Sequence, residues 1–248
     1  MITQQVLIIG ANSDIAKALV LQLRENKTIG LILISRDVNA DDLLYRNKKN
    51  NRVNIISVND YLSQSIEHAI EELATYDHVP ITRIFICNGI LHNQSIQPEK
   101  RIEALTVESF SEVMISNALT PMLWIQHLMP TITNNSSCKI IVFSARVGSI
   151  SDNRLGGWYS YRASKAALNM MLKTAAIEIA RRNKNVKIIA FHPGTTDTPL
   201  SKPFQKNVPE NKLFTCEFVA KQLLTIVENT SYDQRASYLD WQGKSINW

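Results

Sequence analysis

Short runs of apolar residues, many of them β-branched, recur along the chain, and longer stretches with helical spacing lie between them. Continuous apolar runs of this length are typical of strands that are buried on both faces of a parallel sheet. The pattern predicts strands over residues 6–9, 31–34, 53–58, 84–87, 140–143, 186–191 and, as a short final strand, 236–239.

The stretches between these runs carry apolar residues at i, i+3, i+4 and i+7, the spacing of helices that pack one face on a sheet. Strands that alternate with helices require crossover connections. This favours an α/β fold of the Rossmann type, a doubly wound, mainly parallel sheet of about seven strands with helices on both faces. The predicted helices cover residues 14–25, 41–48, 62–75, 107–129, 161–182 and 216–229.

Length and composition favour one ordinary globular domain. The 248 residues, 45% hydrophobic and 20% charged, are enough for a single domain over residues 1–248, and they exclude collagen-like, coiled-coil and wholly disordered classes. A proline-containing stretch follows the last long strand. It predicts a substrate loop around residues 195–213.

Charge and cysteine content narrow the class of partner. The surplus of 27 Lys and Arg over 22 Asp and Glu favours anionic ligands, without requiring nucleic acid. The longest charge-free stretch, residues 113–138, is interrupted by Asn117, Pro121 and Pro130 and indicates a buried helix, not a membrane span. Three cysteines without metal-ligand spacing, and no signal-peptide pattern, predict a reduced cytoplasmic protein with neither zinc nor a disulfide.

A glycine turn follows the first predicted strand. Gly10, Asn12 and Ser13 precede a predicted helix, and a turn of this kind aims backbone amides at a phosphate group. Asp14 and Ala16 occupy positions where such turns carry further glycines, and Asp14 could instead cap the helix. From these residues alone, a nucleotide site and a plain strand–turn–helix remain equally open.

The second predicted strand ends at Ser35 and Arg36. An acidic residue at this position would bind the ribose 2′-hydroxyl of NAD, whereas a guanidinium can pair with the 2′-phosphate of NADP. The pair therefore favours NADP(H). The alternative is an ordinary loop in which Asp37 neutralises Arg36.

Tyr161 and Lys165 lie four residues apart at the start of a predicted helix. At this spacing the two side chains share a helix face. A nearby ammonium favours the phenolate form of a tyrosine, whose pKa is near 10 in water, and so brings proton transfer within reach of neutral pH. A pair of this kind also occurs by chance in many helices.

Several candidate motifs stand in a characteristic order. They are the glycine turn, the Ser-Arg pair, Asn117, Ser144, and the pair Tyr161 and Lys165. In this order the chain resembles the short-chain dehydrogenase/reductase family over nearly its whole length. The stretches 144–150, 156–165 and 192–195 resemble its C-factor-like branch, akin to sniffer-type carbonyl reductases.

The resemblance implies catalytic roles. Tyr161 would be the general acid that protonates a carbonyl oxygen, and Lys165 would lower its pKa and bind the nicotinamide ribose. Asn117 would hold a proton-relay water through a kink in its helix, although without the family it would be assigned as a satisfied polar residue between helices. Ala145 occupies the position of the family's catalytic serine, so Ser144 is the candidate substitute.

The resemblance also implies a set of cofactor-binding residues. Asp60 would contact the adenine ring, and the Pro193–Gly194 turn with Thr198 would hold the nicotinamide carboxamide. Thr196 and Thr198 could equally make local backbone bonds, and His192 is expected to be a packed residue at a strand end. The full set is Gly10, Asn12, Ser13, Asp14, Ile15, Ser35, Arg36, Asp60, Asn88, Gly89, Tyr161, Lys165, Pro193, Gly194, Thr196 and Thr198.

These features predict an NADP(H)-dependent oxidoreductase that moves a hydride between nicotinamide and a small carbonyl or alcohol substrate. Trp158, Phe204 and Phe214 indicate an apolar substrate pocket. The alternative is a nucleotide-binding signalling or regulatory protein with vestigial catalysis; methyl transfer is disfavoured by the tyrosine–lysine pair. Apolar residues surround the helices 107–129 and 161–182, which form subunit interfaces in the resembled family, so a homodimer or homotetramer is expected.

Overall fold

The computed structural model describes residues 1–36, 52–76, 79–132 and 136–248. Seven of its strands form one sheet in the order β3-β2-β1-β4-β5-β6-β9, and every neighbouring pair is parallel. The chain order reverses between β1 and β4, so the carboxyl ends of these strands open a crevice. The strands are β1 (Gln4–Ile9), β2 (Ile29–Ser35), β3 (Val53–Ser57), β4 (Ile81–Ile86), β5 (Cys138–Phe143), β6 (Val186–His192), β7 (Thr195–Thr196), β8 (Leu213–Phe214) and β9 (Ala236–Asp240).

Helices cover both faces of the sheet, which confirms the predicted fold class. α1 and α6 pack together over one apolar core, and α2, α4 and α5 pack over a second core on the opposite face. The strands read as continuous apolar runs because both of their faces are covered. The helices are α1 (Asp14–Leu23), α2 (Ser63–Leu73), α3 (Val107–Met114), α4 (Thr120–Ile132), α5 (Tyr159–Arg182) and α6 (Cys216–Asn229).

The predicted helix over residues 107–129 is interrupted. A π-helical turn, Ile115–Leu119, separates α3 from α4, and the amide of Thr120 donates to the carbonyl of Ile115. Pro121 lacks the N–H that would donate to the carbonyl of Asn117 in a regular α-helix. The wider turn follows from this missing donor, and it contains Asn117, which is fully buried.

Other predicted elements differ in their bounds or lie outside the described residues. α5 begins at Tyr159, two residues before its predicted start, and the loop around 195–213 contains 3-10 turns and a small parallel pair, β7 with β8. The predicted helix 41–48 and Asp37 lie outside the described residues. Among the described helices, none combines the length and the apolar character that a membrane span requires.

Candidate active site

The carboxyl ends of β1, β4, β5 and β6 surround a cavity of about 580 Å³, which we call the main cavity. A second cavity of about 320 Å³ lies beside it at the carboxyl ends of β1, β2 and β3. Both are lined by Asn12, Ser13 and residues 87–90. The two cavities therefore form one elongated cleft at the point where the strand order reverses.

The turn after β1 has no room for a side chain at Gly10. Its φ is +75°, and a Cβ atom there would lie 3.0 Å from the backbone nitrogen of Asn88. Ser13 is the N-cap of α1, since its hydroxyl accepts from the amide of Ala16 at 3.4 Å. Asp14 is thus not the capping residue: it is the first residue of the helix, and its exposed side chain lines the main cavity beside Ile15.

Ser35, Arg36 and Asp60 all line the second cavity. The Arg36 guanidinium lies 5.1 Å from the centroid of the Tyr61 ring. Hydrogen bonds from the Ser65 side chain and the Leu62 amide lower the pKa of Asp60, so this carboxyl group is ionised at neutral pH. Among the described residues that line this cavity, Arg36 alone carries a positive charge.

Tyr161 and Lys165 both line the main cavity and are 9% and 4% exposed. The Lys165 ammonium donates to the carbonyl of Phe143 at 2.8 Å and lies 5.8 Å from the centroid of the Tyr161 ring. Burial lowers the pKa of Lys165 to about 8. Burial also raises the pKa of Tyr161, so desolvation here outweighs the expected effect of the lysine. Tyr161 is therefore a neutral phenol, the form that a proton donor needs.

Asn117 joins the segment after β4 to α5. Its side-chain oxygen accepts from the amide of Ile90 at 2.7 Å, and its nitrogen donates to the carbonyl of Ile90 at 2.8 Å and to Ser164 Oγ at 3.1 Å. A Cβ atom on Gly89 would lie 3.1 Å from the side-chain oxygen of Asn117 and 3.5 Å from the Lys165 ammonium. The glycine thus leaves the space between these two side chains open.

Ser144 lines the main cavity, but its buried hydroxyl donates to the side-chain oxygen of Asn169 at 2.7 Å. The adjacent carbonyl of Ala145 accepts from the hydroxyl of Tyr238 at 2.6 Å. Ser149, the other serine near this position, accepts from the amide of Asp152 at 3.3 Å and does not line the main cavity. Of the two serines, only Ser144 borders the cavity.

The turn after β6 also requires a glycine. Gly194 has a φ of +75°, and a Cβ atom there would lie 2.6 Å from the Phe214 ring and 3.1 Å from the Trp241 ring. The turn places Pro193 and Thr195 against the main cavity. Its backbone conformation is therefore fixed by an aromatic support from β8 and the C-terminal turn.

Three buried polar atoms along the cleft have no hydrogen-bond partner among the described residues: the side-chain oxygen of Asn88, the hydroxyl of Thr196 and Nδ1 of His192. Burial lowers the pKa of His192 to about 4, so its imidazole is neutral, which agrees with a packed residue. Thr198 instead makes a weak local bond to the carbonyl of Thr196 at 3.4 Å. The free oxygens of Asn88 and Thr196 suit a bound amide or ribose group.

Sequence reasoning missed two acidic residues that support the site. Glu99 is buried, and its carboxylate accepts from the amide and the hydroxyl of Ser160 at the start of α5. Asp240, at the end of β9, is also buried and pairs with Arg146 at 3.0 Å. Glu99 lies in a polar stretch without periodicity, and Asp240 is a single acidic residue at the end of a strand, so only the short distances to their partners in space reveal their roles.

A family model described as short chain dehydrogenase matches residues 4–209. A benzil reductase that forms (S)-benzoin, from Bacillus cereus, is 25% identical over 245 residues, which cover 92% of this chain and 96% of that protein. The C-signal of Myxococcus xanthus is 24% identical over 132 residues, which cover 53% of this chain and 74% of that protein.

Solved structures share the fold over the full chain. The carbonyl reductase Sniffer of D. melanogaster is 19% identical with a TM-score of 0.84, and the alignment covers 100% of both chains. An NADPH-bound carbonyl reductase from chicken fatty liver is 23% identical with a TM-score of 0.80, also over 100% of both chains.

Proposed function

Because the chain belongs to the short-chain dehydrogenase family, we propose that it is an NADP(H)-dependent oxidoreductase acting on a small carbonyl compound or secondary alcohol. Its likeness extends to the C-factor and sniffer-type branch. The observation that carries the proposal is the burial of Tyr161 and Lys165 side by side in the main cavity. That cavity lies between two turns where only glycine fits, at Gly10 and Gly194.

In the proposed mechanism, the chemistry that a nicotinamide cofactor would supply when bound in the cleft is hydride transfer to the carbonyl carbon, or from the alcohol carbon in the reverse direction. Tyr161, a neutral phenol, donates its proton to the carbonyl oxygen of the substrate. The Lys165 ammonium stabilises the phenolate that remains, because it is held close by its bond to the carbonyl of Phe143. Both groups act inside a buried site, where water screens their charges little.

Two further side chains complete the mechanism. Asn117 holds the Ile90 segment and the start of α5 in register, and the space left by Gly89 between Asn117 and Lys165 would admit a proton-relay water. Ser144 would stabilise the substrate oxygen only if its hydroxyl turned away from Asn169. Asn117 is therefore the better supported of the two assignments.

The cofactor would lie along the elongated cleft. The phosphate groups would approach the turn of Gly10 to Ile15, the adenosine would occupy the second cavity near Asp60, and the nicotinamide would contact Thr196 and the Pro193–Gly194 turn. Arg36 is the group that favours a 2′-phosphate there. An NADPH-bound structural neighbour supports the same preference.

Changing Arg36 to alanine tests this cofactor assignment. In a nicotinamide-fluorescence titration, the wild type should bind NADPH more tightly than NADH. R36A should weaken NADPH binding by roughly 10- to 100-fold, the effect of losing charged hydrogen bonds of about 1.5–3 kcal/mol, and leave NADH binding almost unchanged. R181A is the matched control, since Arg181 is exposed and lines neither cavity. Equal weakening of both cofactors would contradict the assignment, and binding of neither would contradict the proposed function.

Exposed apolar side chains along α3, the π-helical turn and α5 support a homodimer or homotetramer. Val107, Ile115, Leu119, Met170 and Ile177 are each at least 46% exposed, and apolar surface of this extent favours association. Light scattering at micromolar concentration should give a mass of at least twice 28.1 kDa. A monomer at that concentration would overturn the assignment.

The remaining assignments follow from the same function. The protein would act as one catalytic unit over residues 1–248, in the cytoplasm, with the loop around 195–213 contacting the substrate and with no nucleic-acid partner. The signalling alternative is not favoured, because the benzil reductase, which aligns over nearly the whole chain, is an oxidoreductase.

A further inference from the structure

An aromatic cluster forms one wall of the main cavity, directly beside Tyr161. The ring of Trp158 meets the Tyr161 ring edge-on, with centroids 6.1 Å apart, and meets the Phe204 ring with centroids 5.0 Å apart. Both Trp158 and Phe204 line the cavity and are partly exposed to it. The wall therefore combines the start of the catalytic helix with the substrate loop.

The backbone of Trp158 is left-handed, with φ 54° and ψ 45°. A bulky residue in this conformation is strained and persists only where its surroundings fix it. Here the amide of Trp158 donates to the carbonyl of Glu99 at 2.5 Å. The side chain of Arg162 also donates to the carbonyl of Gly157 at 2.9 Å. The fold thus holds Trp158, a residue with a large ring, in an unfavourable backbone conformation beside the site.

Glu99 is the residue that ties this conformation to the catalytic helix. Trp158 is the N-cap of α5 but makes no side-chain capping bond. The carboxylate of Glu99 takes over this role, since it accepts from the amide of Ser160 at 3.2 Å and from the Ser160 hydroxyl. One residue therefore holds both the backbone of Trp158, through its carbonyl, and the first turn of the helix that carries Tyr161, through its carboxylate.

The charged side chains that line the main cavity are either bonded to other protein groups or lie at the end of the cavity away from the aromatic wall. Of the described residues that line this cavity, the acidic and basic side chains, histidine apart, are Asp14, Arg146 and Lys165. Asp14 stands at the phosphate turn, Lys165 beside Tyr161 is bonded to Phe143, and Arg146 is paired with the two carboxylates of Asp152 and Asp240. Among the described residues that line the cavity, no further cation lies at the aromatic wall to bind an anionic substrate.

We infer that Trp158 and Phe204 determine specificity, selecting an uncharged carbonyl compound with an aromatic ring next to the reacting carbon, and that Glu99 is the positioning residue that fixes Trp158. The inference rests on the proposed function. A flat ring can pack against the exposed faces of the indole and the phenyl group, with its carbonyl oxygen towards Tyr161. A saturated ring of the same size gains no such aromatic contact.

The test compares acetophenone with cyclohexyl methyl ketone, which share a carbon skeleton and differ in the aromaticity of the ring and in the conjugation of the carbonyl. Because the intrinsic reactivities differ, the quantity compared between variants is the ratio of the two kcat/KM values. This ratio should be about tenfold more in favour of acetophenone in the wild type than in W158G, the size of an aromatic contact of about 1.5 kcal/mol, mainly through the KM of acetophenone. Glycine suits the left-handed backbone, so W158G removes the indole without new strain. W158F should restore most of the wild-type ratio. An unchanged ratio in W158G would overturn the inference.

The role of Glu99 is tested by a double-mutant cycle on the same substrate ratio. E99A keeps the carbonyl that binds the Trp158 amide but removes the carboxylate that holds Ser160, the residue two positions after Trp158. It should shift the acetophenone ratio in the same direction as W158G, and should have no further effect on that ratio in the W158G background. If Glu99 had a purely structural role, E99A would lower kcat/KM equally for both ketones and leave their ratio unchanged. Additive effects of the two substitutions on the ratio would exclude Glu99 as the positioning residue.

A binding measurement separates this inference from the proposed function. Saturation-transfer NMR with NADP⁺ present should show acetophenone bound to the wild type and released in W158G. If the wild type turns over neither these ketones nor any compound in a broad panel of carbonyls and secondary alcohols, but this binding difference persists, the proposed function fails and the role of the aromatic wall stands. If both ketones react equally well and bind equally, the wall is wrong and the oxidoreductase stands.

Discussion

Replacing Tyr161 by phenylalanine will lower kcat for carbonyl reduction by roughly 10²- to 10⁴-fold, the contribution expected of a general acid. The phenyl ring keeps the edge-on contact with Trp158, so the shape of the cavity is retained. We therefore expect the dissociation constant for NADPH to change by less than about threefold. Steady-state reduction of acetophenone and a fluorescence titration measure the two quantities.

The matched control for this change is Y159F. Tyr159 lies two residues earlier on the same helix, is 37% exposed and does not line the main cavity. Loss of its hydroxyl should leave kcat within about twofold of the wild type, as is usual for a surface substitution. Full activity of Y161F, or equal losses in the two variants, would exclude Tyr161 as the proton donor.

Replacing Gly148 by alanine will displace Lys165 and so lower both stability and activity. Gly148 is buried, and a Cβ atom there would lie 2.7 Å from Cβ of Lys165 and 2.8 Å from its backbone carbonyl carbon. The added methyl group must therefore displace α5 at Lys165. Overpacking of this kind costs about 1–3 kcal/mol, occasionally more. We expect a lower free energy of unfolding in urea, together with a loss of at least tenfold in kcat.

G156A provides the comparison for this substitution. Gly156 has a φ of +64°, and a Cβ atom there would meet nothing within 4 Å. Its cost is therefore limited to the left-handed backbone, about 1–2 kcal/mol, and kcat should be nearly unchanged. If G148A were as active as G156A, the contact between Gly148 and Lys165 would not be what positions the lysine.

Much of the fold follows from hydrophobic pattern alone, because strands that are covered on both faces must be apolar throughout. The π-helical turn does not follow, since the residues around Asn117 keep the apolar character of a continuous helix. Only the missing amide of Pro121 signals the change. In the same way, Ser13 and Asp14 are both good capping residues, and only the backbone geometry shows that Ser13 caps α1.

The residues of the site also differ in how far the sequence alone can identify them. Tyr161, Lys165 and the glycine turns are local motifs, so their spacing in the sequence points to them. Glu99, Asp240 and Trp241 act through partners that are distant in sequence, as the pairs of Glu99 with Ser160 and of Asp240 with Arg146 show. A residue whose role lies in such a pair has no periodicity to reveal it. The hydrogen bond of the Ser144 hydroxyl cannot be predicted from local sequence either, because its acceptor is Asn169 of α5.

The position of β9 at the sheet edge has a consequence for the order in which the molecule folds. β9 follows every other strand in the chain, and it brings Asp240 to Arg146 and Trp241 to the Gly194 turn. The turn at Gly10, in contrast, is bonded to β2 and lies against the residues after β4, all from the first half of the chain. Since parallel pairing between distant segments is slow, we expect the support of the chemical end of the cleft to form last. A chain that lacked β9 would therefore lose the pairing of Arg146 with Asp240 and the support of the Gly194 turn, while the contacts of the Gly10 turn with β2 and the residues after β4 would remain.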